Sequence, residues 1–137
     1  MTSYAIRYGV VLAVLAVGDA LWLGYFANAV FRPTLGAILR DPPNWIAAAL
    51  FYLLYAAGVV IFATGPALRA NSWATALLYG ALFGLFTYMT YDLTNLATIR
   101  LWTIRLAAMD IAWGIALTAF AATASAVICR FVASPHL

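Results

Sequence analysis

The chain has no lysine and no glutamate, one cysteine and one histidine, and only 8% of its 137 residues carry a charge. Each shortage removes a class of protein. Cys129 on its own forms no internal disulfide and no thiolate cluster, and inside an apolar segment it reads as a small filler. His136 sits in the tail beyond Arg130 and reads as a solvated end. With no histidine in any apolar segment, bis-histidine haem, a histidine-rich di-iron centre and a Ser-His or Cys-His nucleophile are excluded. No glycine-rich phosphate loop occurs and nothing favours nucleic acid as a partner. No cofactor and no metal are expected.

What fills the chain instead is apolar: 67% of residues are hydrophobic, against roughly 45 to 50% in soluble domains, where roughly 25% are charged. Charge-free runs cover 42–68, 70–91 and 111–129. Each reaches or approaches the roughly 20 residues that carry a helix across about 30 Å of hydrocarbon. A fourth run, 6–30, is broken by Arg7 near its start and Asp19 near its centre. It is too long for a signal peptide, and the aspartate argues the same way, so it is expected to remain as a span. The reading is a single transmembrane domain over 1–137, an all-α integral membrane four-helix bundle with spans at about 4–30, 45–64, 73–92 and 104–128.

The connections refine this picture. Leu35, Ile38 and Leu39 fall at helical spacing between Arg32 and Arg40, which predicts a short interfacial helix between spans one and two. Asn44 reads as the N-cap of span two, and Thr64-Gly65-Pro66 as its end. Asn71 or Ser72 caps span three, where Gly80 and Gly84 permit close helix approach. Trp45 and Trp73 take interfacial belt positions. Loops one and three share a membrane side and hold Arg32, Arg40, Arg100 and Arg105, against Arg7, Arg69 and Arg130 on the other. Four against three favours cytoplasmic loops one and three, with both termini outside.

The four acids are Asp19, Asp41, Asp92 and Asp110. Asp41 belongs to a loop. The other three fall in the loop-one and loop-three half of spans one, three and four, with Asp110 about 7 to 8 Å beyond Arg105 and Asp92 closing span three. A charge at the bilayer centre costs at least ~2.5 to 3.5 kcal/mol, so these carboxylates should face the bundle. Small residues flank them: Gly114, Thr118 and Ala122 beside Asp110, and Ala16, Ala20 and Gly24 beside Asp19. Trp22 and Trp113 each stand three residues after an aspartate, in "DALW" and "DIAW". An indole N–H in that position can donate to the carboxylate. Tyr88 and Asn95 lie one turn either side of Asp92. The candidate ligand- or proton-binding residues are therefore Asp19, Trp22, Tyr88, Asp92, Asn95, Asp110 and Trp113, with Arg100 and Arg105 as charge partners and the opening on their side.

At these residues the sequence also resembles a bacterial family of small four-span membrane proteins, domain of unknown function 2177. The resemblance rests on "GDALWLG" at 18–24, "FYLLYAAG" at 51–58, "PAL" at 66–68, "YDLTNLAT" at 91–98 and "DIAWG" at 110–114. Where the family pattern often has proline after the loop-three tryptophan, this chain has Thr103. The resemblance implies a four-span fold and a bacterial inner-membrane location, and it carries no activity.

Three functions stay open. An Asp/Trp pocket would bind a lipophilic or lipid-like molecule or exchange protons. A structural or accessory subunit would use the same aspartates only to lock helices together. A small lipid-acting enzyme would have to work with Asp, Tyr, Asn and Arg alone. Membrane lipids are the expected surroundings in every case, and a translocation path would require a homodimer.

Overall fold

The computed structural model describes residues 2–133, so His136 lies outside the described residues. Among the described residues four helices are long and apolar enough to cross a membrane: span one (Tyr4–Leu35), span two (Trp45–Arg69), span three (Trp73–Thr98) and span four (Ile104–Ala133). Their starts are built as the sequence suggests. Asn44 Oδ1 accepts from Ala47 N at 3.1 Å, and Ser72 rather than Asn71 caps span three, its hydroxyl accepting from Thr75 N at 3.2 Å. Asn71 takes the left-handed conformation at φ 49°, which asparagine tolerates best after glycine. Thr103 does what a proline there would not: its hydroxyl accepts from Leu106 N at 3.1 Å and caps span four.

Three ends differ from expectation. Span two does not stop at Thr64, and span one does not stop at Val30, because each absorbs its proline through a π-helical turn, Val60–Thr64 and Ala27–Phe31. Gly65 N–H reaches Val60 O and Arg32 N–H reaches Ala27 O, each five residues back, one step before Pro66 and Pro33. The extra residue relieves the clash between a proline ring and the carbonyl four positions earlier, so the helix continues. Residues 32–35 are thus the last turn of span one, followed by a turn at 36–38, and this replaces the separate interfacial helix. Span three runs on past Asp92 to Thr98. There Thr90, Thr94 and Thr98 each donate to the carbonyl four residues back, so their hydroxyls need no partner elsewhere.

Packing divides the bundle into two halves. Spans three and four touch along their length, spans one and four next most, and span one also meets span two. At Gly80 an added methyl would stand 2.9 Å from both Ala119 Cα and Ala122 Cβ, and at Gly84 another would stand 2.9 Å from Thr118 Cβ, so these glycines set the closest helix approach. Gly114, Thr118 and Ala122 are buried there. The other small stripe behaves oppositely: Ala16, Ala20 and Gly24 are exposed, and nothing lies within 4 Å of a Cβ built at Gly24. They sit roughly 60°, 100° and 140° round the helix from Asp19 at about 100° per residue. The inward face at Asp19 is filled instead by Val11, Leu15 and Phe26. Spans two and three pack together through 60–69 and diverge in the loop-one half.

Candidate ligand site in the loop-one half

Asp19 is 8% exposed and both of its oxygens are engaged. The Tyr52 hydroxyl donates to Oδ2 at 2.9 Å, and Trp113 Nε1 donates to Oδ1 at 3.1 Å. One carboxylate therefore ties spans one, two and four. The two Asp-x-x-Trp repeats are crossed: the indole of the second serves the acid of the first. Trp22 has its own N–H buried with no partner and works by its rings, stacked on Trp113 at 4.6 Å and 3° and on Phe26 at 4.1 Å and 17°. This aromatic wall shields the acid from lipid on one side.

A second station lies about one turn away along span four. Asp92 is fully buried; Trp102 Nε1 donates to its Oδ1 at 3.3 Å, while Oδ2 is buried with no donor of its own. Asp110, 8% exposed, lies within hydrogen-bonding reach of Asp92. Two carboxylates can make that bond only with a proton on one of them. Arg100 and Arg105 do not supply the missing charge. Both are exposed, and no arginine is among the groups acting on Asp19, Asp92 or Asp110. Among the described residues no three acids, histidines or cysteines come together as a metal-holding group, so the acids form two stations and not one triad.

Between the stations and loop one is a cavity of about 890 Å³. Asp19 and Asp110 line its depth, with Tyr52 and Tyr88 beside them. Tyr55 closes its inner end, hydrogen-bonded to Thr118 Oγ1 at 2.9 Å and Thr87 Oγ1 at 3.1 Å. At the mouth stand Arg32, in the last turn of span one, and Arg40 and Asp41 of loop one, so the opening is not at Arg100 and Arg105. Of the candidate residues, Asp19, Trp22, Tyr88 and Asp110 line the cavity. Trp113 stands behind Asp19, Asp92 behind Asp110, and Asn95 beside Tyr91 outside the lining. Sequence reasoning passed over Tyr52, Tyr55 and Trp102. The signal for the first two was a Tyr-x-x-Tyr pair in an otherwise apolar, charge-free span, where hydroxyls need partners. Trp102 gave none, because a loop tryptophan reads as an interfacial anchor.

Four apolar spans around a cavity with buried acids define a polytopic helical membrane protein. Its family follows from the sequence match: residues 4–127 fit the profile described as "Predicted membrane protein (DUF2177)", nearly the whole chain, and the chain belongs to that family. Neither a curated protein nor a solved structure matches it.

Proposed function

We propose that this protein, seated in a bacterial inner membrane, binds a lipophilic or lipid-like molecule in the loop-one-half cavity. The observation that carries this reading is a space of about 890 Å³ bounded by spans two and three where they diverge. Four apolar helices close that space in the other half, and leaving it empty would forfeit packing. Tyrosine hydroxyls and Asp110 offer a few polar contacts in an aromatic surround, the usual make-up of a small-molecule site. A cavity-filling change tests it. Leu23, exposed and on the lining, becomes tryptophan in Leu23→Trp, which should leave folding intact and abolish retention of co-purified lipid measured by mass spectrometry of the extracted protein. Unchanged retention would rule the cavity out.

A second reading is favoured by the contact of Asp110 with Asp92, since a carboxyl pair open to a cavity on one side is a proton-exchange arrangement. A third, the purely structural one, is favoured by Asp19, whose oxygens are both spent on helix ties. Asp19 is accordingly the weakest ligand contact of the set and Asp110 the strongest.

A further inference from the structure

We infer that the molecule held in this cavity is a membrane lipid with an anionic phosphate headgroup, gripped at the mouth by Arg32 and Arg40, its chains lying in the gap between spans two and three. The inference rests on the cavity reading above and adds the headgroup. The polarity of the cavity is ordered along its length. Two arginines and one aspartate, Asp41, stand at the mouth, and the interior is aromatic and aliphatic apart from Thr87 and the two acids in its depth, Asp19 and Asp110. The buried acids do not call for a cationic ligand, because Asp19 is filled by Tyr52 and Trp113, and Asp110 faces Asp92. The side chains of Arg32 and Arg40 are exposed and have no hydrogen bond or ion pair among the described residues. Guanidinium matches phosphate oxygens in a bidentate fork.

The route of access chooses between a lipid and a free phosphate. Spans two and three hold together through 60–69 and, at the inner end of the cavity, through Tyr55 and Thr87; beyond that point toward loop one the gap between Phe51 and Tyr91 opens sideways at hydrocarbon depth, and both residues line the cavity and are exposed. A free phosphate has no use for that slot, whereas a phospholipid reaches it by lateral diffusion with its head already at the level of loop one.

The test is native mass spectrometry of the full chain after equilibration in detergent with equal amounts of phosphatidylglycerol and phosphatidylcholine of the same chains. At about fivefold per arginine, the two together should give a retained ratio of about 25 to 1 for phosphatidylglycerol. In Arg32→Gln/Arg40→Gln the ratio should fall to near one while phosphatidylcholine is still retained. In Arg100→Gln/Arg105→Gln, which removes two arginines of the same membrane side from outside the lining, the preference should stand. An even ratio in the wild type, an equal loss in both double variants, or displacement of the lipid by excess inorganic phosphate would each overturn the headgroup assignment. If the wild type retains both lipids evenly and Leu23→Trp abolishes both, the cavity survives and the anionic head does not. If neither lipid is retained, both readings fall.

Discussion

Toward loop two, spans three and four meet through Gly80, Ala119 and Ala122, and span two adds Ala63 and Ala67 to the same core. Toward loop one the corresponding positions are Tyr88, Tyr91, Asp92 and Asp110, with Tyr52 and Tyr55 across from them. In lipid there is no hydrophobic drive between helices, so close approach depends on small side chains, and large polar ones hold helices apart unless they bond to each other. The same four helices thus make a closed half and an open half. Residue size sets where the bundle separates, and hydrogen bonds from Tyr52, Tyr55, Trp102 and Trp113 keep the separated half in one arrangement.

The largest effect expected from breaking this contrast is in the closed half. Gly80→Leu drives a side chain into Ala119 and Ala122 and should cost about 3 kcal/mol or more, read as loss of the folded fraction in detergent unfolding. Gly24→Leu, a similar change on the outward face of span one, should stay within about 0.5 kcal/mol. Equal damage at both sites would mean that span one packs against something along its exposed stripe.

A middle-sized effect is expected at the ties between helices in the open half. Tyr52→Phe and Trp113→Phe each remove one donor from Asp19 and should destabilise by about 1 kcal/mol, in the range of interhelical hydrogen bonds in membranes. In a double-mutant cycle with Asp19→Asn each should couple to Asp19, and additive losses would contradict the ties. The smallest effect concerns loop three. Arg105 is exposed and does not act on Asp110, so Arg105→Gln should shift unfolding by no more than about 0.5 kcal/mol and should not couple to Asp110→Asn. Coupling of several kcal/mol, the signature of a broken buried pair, would show an ion pair in the membrane.

How far the sequence foretold all this depends on the kind of interaction. The four spans and the Gly80–Gly84 contact were legible because hydropathy and small-residue spacing act within one helix. The inward aspartates were legible too, because exposing charge to lipid costs so much. The crossing of the tryptophans was not. Asp19 and Trp22 share a face, yet which indole reaches which carboxylate depends on the rotation of span one against span four, a property no single helix carries. Pro66 misled for a physical reason: a proline ends a helix or is absorbed by one extra residue, and both outcomes share the same local sequence. The cavity itself was illegible, since it is the space left where spans two and three diverge.

What fills that space decides whether the loop-one half is an open half. A crystal structure of the protein grown from a lipid mesophase should show elongated density between Phe51 and Tyr52 of span two and Tyr88 and Tyr91 of span three, ending in a headgroup near Arg32 and Arg40. Spans two and three closed on each other in that half, with Phe51 packed against Tyr88 and no space left above Asp110, would contradict it.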